Sequence, residues 1–140
     1  MYIEHATAAS DDLVAAMARL IPQLSPAATV PTRDDLAAVV AQPGTFLLLA
    51  RDPDIVGTLT LTLFRVPTGV QGLINNVVVD AAARGRGIGE VLTREAIQRA
   101  RDAGAYRLSL NSRNQREAAN RLYRRLGFEA VATNAYRLTP

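Results

Sequence analysis

The chain has 140 residues, 49% of them hydrophobic, which is enough to bury the core of one ordinary domain without covalent staples. It contains no cysteine and one histidine, His5, so a disulfide framework and a thiolate nucleophile are excluded and no metal site is expected. The net charge of +3 hides an asymmetry: residues 84–125 carry eleven Arg against four acids and residues 1–83 four Arg against eight, so an anion is expected against the second half.

The opening "MYIEHATAASDDL" lacks a basic region followed by an apolar run, and no stretch approaches the roughly 18 apolar residues of a membrane span, so a cytoplasmic location is expected. "YIEHA" reads as a first strand. Ser10 is a fitting N-cap for a helix to about Leu20, with Asp11 and Asp12 in its positive first turn and Leu13, Met17, Leu20 and Ile21 at helical spacing. "PQLSPAATVP" reads as a loop. Thr32 and Asp35 form a capping-box pattern for a second helix through about Val40, which Pro43 and Gly44 close.

"TFLLLARD" and "IVGTLTLTLF" read as an antiparallel hairpin with one face on the core, since Leu59, Leu61 and Leu63 alternate with threonines. "PTGVQG" reads as a turn. "LINNVVVD" then gives a strand whose Val77, Val78 and Val79 suggest burial on both faces. A long helix follows the glycine loop, with Ile88, Val91, Leu92, Ala96, Ala100 and Ala103 along one side and Glu90–Arg94 and Glu95–Arg99 paired on the other. "YRLSLN" alternates as a strand, a last helix spans about Arg116 to Leu126 before Gly127, and "FEAVATNAYRL" predicts one or two closing strands. The whole of residues 1–140 reads as one α/β or α+β domain with a mixed sheet.

The strand, glycine loop and helix in "VVVDAAARGRGIGEVL" aim backbone N–H groups and a helix dipole at one spot, which suits a phosphate. At Gly85, Gly87 and Gly89 a side chain would hold an anion away or forbid the torsions. A P-loop needs Gly-Lys-Ser/Thr, whereas Gly89 is followed by Glu90 and Val91. A Rossmann site wants glycines tight on the first strand and a ribose-binding acid about 20 residues on, and neither pattern is present.

The spacing Arg84-x-x-Gly87-x-Gly89 after a hydrophobic strand, together with the Leu-Tyr-x-x-x-Gly-Phe segment "LYRRLGF" at Leu122 to Phe128, resembles the GNAT N-acetyltransferases. The resemblance is specific from about Leu73 to Val131. It implies a largely antiparallel mixed sheet flanked by helices, with a splayed central strand pair, and acetyl-CoA as cosubstrate without a metal. It further implies that Val77, Val78 and Val79 lie along the pantetheine arm, with the backbone groups of Val77 and Val79 offered to it. The pyrophosphate would rest on Arg84, Gly85, Arg86, Gly87, Ile88, Gly89 and Glu90. Tyr123 would protonate the departing thiolate, and Asn120 would contact the cofactor where family members more often carry an Asn at the position of Arg116.

A Glu on the strand before the signature often serves the family as general base, and here Asn75 and Asn76 stand there. Asp80 fits a structural role at the head of the loop and His5 is a base only by elimination. The acceptor amine is expected where the first two helices and residues 25–31 meet the sheet, and the negative balance of residues 1–83 faintly favours a cationic one. The partners implied are acetyl-CoA and an amine, with no nucleic acid and no membrane, and with a homodimer allowed. A non-catalytic acyl-CoA-binding sensor or interaction module is the alternative.

Overall fold

The computed structural model describes residues 1–140. Its elements in chain order are β1 (Tyr2–His5), α1 (Asp11–Leu24), α2 (Arg33–Ala41), β2 (Thr45–Arg51), β3 (Ile55–Val66), β4 (Gly69–Val79), a 3-10 turn (Ala81–Ala83), α3 (Ile88–Asp102), β5 (Arg107–Leu110) and α4 (Glu117–Arg125). The strands lie in the order β1-β2-β3-β4-β5, antiparallel except for the parallel β4–β5 pair. This is a mixed α/β fold with a mostly antiparallel sheet, as the sequence pattern and the resemblance lead one to expect.

The local signals that start helices are obeyed. Ser10 Oγ accepts from the Leu13 amide at 3.2 Å, and Thr32 and Asp35 exchange both bonds of a capping box. Helix α1 nevertheless runs through Pro22 to Leu24 rather than stopping near Leu20. Pro22 forfeits a single backbone bond, while Leu20 and Ile21 are buried, Leu24 packs on the same core, and the Ser25 amide reaches Ile21 O at 3.2 Å.

Two cores sandwich the sheet. On one face Leu13, Met17, Leu20 and Leu36 meet Leu47, Leu49, Ile55 and Val78, and on the other Ile88, Leu92 and Ala96 meet Leu48, Ala50, Leu59, Leu61 and Ile74. The β2–β3 hairpin is therefore covered on both faces, not one: Thr58 is as buried as the leucines, its hydroxyl donating to Leu48 O at 3.1 Å. In α3 the buried stripe is Ile88, Leu92, Thr93, Ala96 and Ala100, whereas Val91 and Ala103 face solvent.

The β3–β4 turn is only Pro67 and Thr68, since Val66 already pairs with Gly69. Of the "GVQG" glycines, Gly69 holds a positive φ of 133° where the turn enters β4, while Gly72 serves packing. A Cβ on Gly72 would come within 2.8 Å of Leu108 Cδ1, and one on Gly69 within 3.1 Å of the Tyr106 ring. The expected closing strands do not form, as residues 129–140 contain no strand and lie exposed. A β-like pattern forms a strand only where a neighbouring edge accepts its hydrogen bonds.

The feature that positions everything else is a bulge in β4. Thr58 pairs with Val78 but Thr60 pairs with Asn75, so Asn76 and Val77 together oppose Leu59, and Asn76 takes a left-handed φ of 52°. Pairing of β4 with β5 ends at Ile74 and Leu110, just before the bulge, and the two parallel strands part there. Asn76→Gly should leave stability within about 0.5 kcal/mol of the parent, whereas Asn76→Val should cost about 1–2 kcal/mol through left-handed strain; urea unfolding of the two variants checks both.

Candidate functional site

Past the bulge, β4 presents an unpaired edge. The Asp80 amide donates to Val56 O at 2.8 Å, and strand alternation then turns Val78 to β3 and the main-chain groups of Val77 and Val79 to the open cleft beside β5. Val79 O accepts from Arg84 Nε at 3.2 Å, so the first arginine of the loop folds back over the strand end. Across the cleft, Ser112 Oγ, two residues beyond β5, is shielded from solvent without a hydrogen-bond partner.

The glycine loop is held open from below. Asp80 accepts from the Ala82 amide at 3.2 Å and pairs with Arg19 at 3.1 Å, while Gln23 Oε1 accepts from the Ala81 amide at 2.8 Å. The Ala82 amide above all, and then Arg19 and Gln23, hold the Asp80 carboxyl below its ordinary range, so Asp80 is an anchor and not a proton donor. Gly85 and Gly87 adopt left-handed φ values of 81° and 76°, and a Cβ on either would meet nothing within 4 Å. From Gly85 to Glu90 no backbone N–H donates to any group of the chain, and Gly87 as N-cap supplies no side-chain acceptor. These amides lie beside open space at the positive end of α3.

Gly89 differs from its neighbours, because it is helical and its Cβ would make ordinary contacts with Leu122 and Val79 at 3.7 and 3.8 Å. A methyl group would fit there, so neither torsion nor packing within the chain requires glycine at this position. Arg86 is turned to Asp52, at 3.1 Å, and to Ala83 O. Glu90 pairs with Arg125 and with Arg94, and these arginines, Arg125 foremost, hold its carboxyl below the ordinary value. Ile88 is buried as the first core residue of α3.

Tyr123 is the buried residue of α4, its ring edge-on to Phe128 with centroids 5.9 Å apart. Burial raises its pKa above the ordinary phenol value against the opposing pull of Arg116, so the hydroxyl stays protonated at neutral pH. Asn120, one turn earlier, spends its Nδ2 on Arg113 O at 3.0 Å, closing the loop between β5 and α4. Arg116 stands at the N-cap of α4 with no side-chain cap bond.

On the opposite face of the sheet, a cavity of about 200 Å³ opens where α1, α2 and residues 25–31 meet β3 and β4. Met17, Ile21, Leu36, Val39 and Leu47 line it, with Thr58, Thr60 and Asn76 as its polar floor. No ionisable side chain lines it. Six of the eight acids of the first half are engaged elsewhere: Glu4 and Asp12 on Arg51, Asp11 on Arg33, Asp35 in its capping box, Asp52 on Arg86 and Asp80 on Arg19, while Asp34 and Asp54 lie exposed outside the lining. No acid of residues 1–83 lines the cavity, so no carboxylate there faces an acceptor directly. His5 stacks on Phe46 with centroids 5.0 Å apart, and Phe46 lies under Arg99, a residue of α3 on the other face. Burial first, then the Arg99 charge, lower the His5 pKa.

Sequence reasoning missed Arg19 and Gln23, whose partners are 61 and 58 residues away, and also Thr58, Thr60 and Ser112. The regular Leu/Thr alternation of β3 was the one signal for the threonines, since it places a hydroxyl on every second residue of a buried strand.

A family model described as the acetyltransferase (GNAT) family matches residues 11–128. Over 119 residues the chain is 33% identical to a mycothiol acetyltransferase of Sanguibacter keddieii, covering 78% of this chain and 37% of the relative. Over 43 residues it is 49% identical to glucosamine 6-phosphate N-acetyltransferase 1 of Oryza sativa subsp. japonica, covering 31% of this chain and 26% of the relative. The chain thus spans little more than a third of these relatives at most. A solved structure from Agrobacterium tumefaciens C58, provisionally named an acetyltransferase, superposes with a TM-score of 0.86 at 27% identity, covering 99% of this chain and 100% of the other.

The Asp80 anchor generates a pH prediction. A carboxyl depressed below its ordinary value of 3.8 contributes stability that is present above that value and is lost as pH falls through the folded pKa. Asp80→Asn should therefore melt several degrees below the parent at pH 7, and the gap should narrow by pH 3; scanning calorimetry at both values checks this.

Proposed function

The chain belongs to the GNAT acetyltransferase family, and on that premise we propose that it transfers the acetyl group of acetyl-CoA directly to the nitrogen of an amine. The observation that carries this reading is the run of unbonded amides from Gly85 to Glu90 beside the unpaired edge of β4. Together they match a ligand with a diphosphate at one end and an extended amide-bearing arm. Val77 and Val79 would hydrogen-bond the pantetheine arm as an added strand, with Val78 packed beneath them. The unpartnered Ser112 Oγ at the cleft mouth fits a ligand bearing amide groups. Of the loop arginines, Arg84 borders the diphosphate site directly, while Arg86, tied to Asp52, and Glu90, tied to Arg125, brace it.

The nitrogen lone pair attacks the thioester carbonyl carbon, the C–S bond breaks, and the amine proton leaves to water. Tyr123, kept protonated by burial, donates its phenol proton to the departing sulfur and regains one from water, so that the amine proton is in effect delivered to the thiol. Asn120 positions the α4 side of the cleft by holding the loop at Arg113. Positioning across the bulge supplies the larger share of the barrier reduction, as no carboxylate or imidazole lines the acceptor cavity. The amine therefore reacts from the fraction that is already free base in solution.

The cavity floored by Thr58, Thr60 and Asn76 is the acceptor pocket in this reading, and its lining selects an amine that carries an apolar arm. It holds no cation to bind a phosphate such as the one in the rice relative's name and no anion to bind an ammonium. The absence of a carboxylate base also favours a second reading, a non-catalytic acyl-CoA sensor. Release of free thiol across an amine panel separates the two. The chain has no Lys, so acetyl-lysine detected in such an assay must belong to an added substrate.

Acetyl-CoA at 100 times its Kd should stabilise the protein by about 2.7 kcal/mol, seen as a raised Tm, and Gly87→Val should abolish the shift. Tyr123→Phe should keep the shift and lose about 100-fold in kcat. Amines with apolar arms should exceed glucosamine 6-phosphate by at least about tenfold in kcat/KM. The rise of rate with pH should follow each acceptor's own amine pKa, so an acceptor of lower pKa reaches its plateau at lower pH.

A further inference from the structure

Given the acetyl-CoA reading, on which this rests, we propose that Arg19 and Gln23 of α1 are positioning residues that tie one wall of the acceptor cavity to the glycine loop, so that a diphosphate seated on the loop fixes the cavity. Helix α1 has two flanks with different work. Met17, Ile21 and Leu24 recur at i, i+4 and i+7 and line the cavity. Arg19 and Gln23 lie about 200° and 240° round from Met17, at about 100° per residue, on the flank that reaches the end of β4.

The bonds from that second flank converge where the chain leaves β4 for the loop. Arg19 Nε donates to Asp80 Oδ2 at 3.1 Å, and its Nη2 donates to Ile55 O at the start of β3. Gln23 engages both ends of its carboxamide: Oε1 accepts from the Ala81 amide at 2.8 Å, and Nε2 donates to Asp80 Oδ1 at 3.5 Å and to Arg19 O at 3.2 Å. Ala81 opens the 3-10 turn that ends at Arg84, and Ala83 O accepts from Arg86 Nε at 3.4 Å, so turn and loop are bonded to each other.

The two ends of this tie are held with unequal firmness. Helix α1 is bedded in the core through Leu13, Ala16 and Leu20, all fully buried. The loop has no such hold: no amide from Gly85 to Glu90 donates within the chain, and Gly85 and Gly87 stand in left-handed torsions with open space beside them. A segment of that kind samples several conformations until an anion gathers its amides. Gathering them sets Asp80 and Ala81, and through Gln23 and Arg19 it sets the rotation of α1 and so the wall that Met17, Ile21 and Leu24 present to an acceptor. The coupling is reciprocal, because an amine in the cavity then favours the loop conformation that takes the diphosphate, and such couplings are worth about 5- to 150-fold in affinity. The backbone of β4 past Asn76 is a second route between the two sites, and it contains neither residue.

Met17 supplies the reporter. It and Met1 are the two methionines of the chain, so a nuclear magnetic resonance spectrum with isotope-labelled methionine methyl groups holds one signal from the cavity wall. The probe is 3′-phosphoadenosine 5′-diphosphate, the nucleotide end of acetyl-CoA without the arm that reaches toward the cavity. Titrated into the parent, it should raise the Tm and move the Met17 signal along a saturating curve. In an Arg19→Ala/Gln23→Ala variant it should still raise the Tm while the Met17 signal stays in place, and in Gln23→Ala, which keeps the Arg19–Asp80 pair, the movement should fall about twofold. A Tm that neither acetyl-CoA nor the nucleotide raises overturns the acetyl-CoA reading itself. A Tm raised by acetyl-CoA but not by the nucleotide removes the loop as the seat of the diphosphate, and the tie with it. Nucleotide binding that leaves the parent's Met17 signal unmoved overturns the tie alone. Movement of equal size in the double variant overturns Arg19 and Gln23 as its carriers and gives the role to the backbone of β4. If circular dichroism shows the double variant unfolded, the single variant decides by the same criteria.

Discussion

The extra residue in β4 is the constraint on which the rest of the molecule depends. A regular strand through Asn75, Asn76 and Val77 would keep its register with β3 and could continue to pair with β5. With Asn76 in the left-handed region, two residues oppose Leu59 and the last stretch of β4 is re-aimed. The same step opens the cleft toward β5, turns the backbone of Val77 and Val79 into it, and puts Asn76 on the floor of the cavity beneath α1 and α2. One bulge so connects two concave sites on opposite faces of the sheet.

Electrostatics in this fold are mostly internal. Asp80 ties the end of β4 to α1 through Arg19 and Gln23, and Glu90 ties the first turn of α3 to the last turn of α4 through Arg125. Both carboxylates flank the glycine loop, yet each is neutralised by its own partners, and the amides between them stay unopposed. The Glu90–Arg125 pair is exposed enough that solvent screens it, so it acts by fixing the geometry of the loop more than by stabilising the fold. Stability rests on the two cores, where Leu20, Leu48, Leu59, Leu61 and Leu92 are fully buried.

The second half of the chain was far more legible in the sequence than the first. The glycine loop, the start of α3, its Glu90–Arg94 and Glu95–Arg99 pairs and the burial of Tyr123 all follow from signals within a few residues of one another. The caps at Ser10 and Thr32 were legible for the same reason. Pro22, Gly72 and Thr58 misled because each is explained by a neighbour distant in sequence: the sheet under α1, Leu108 beside β4, and Leu48 O beneath β3.

Composition, periodicity and short motifs by themselves determined the class of fold, the order of its elements as far as α4, the glycine loop at the head of α3 and the family resemblance, since these depend on local torsions, caps and hydrophobic period. Only the tertiary structure decided where the cavity lies, that no acid lines it, that β4 and β5 part at Ile74, and that residues 129–140 form no strand. Those outcomes depend on which strands are neighbours and in what register, and register is a property of pairs of segments that no single stretch of sequence carries.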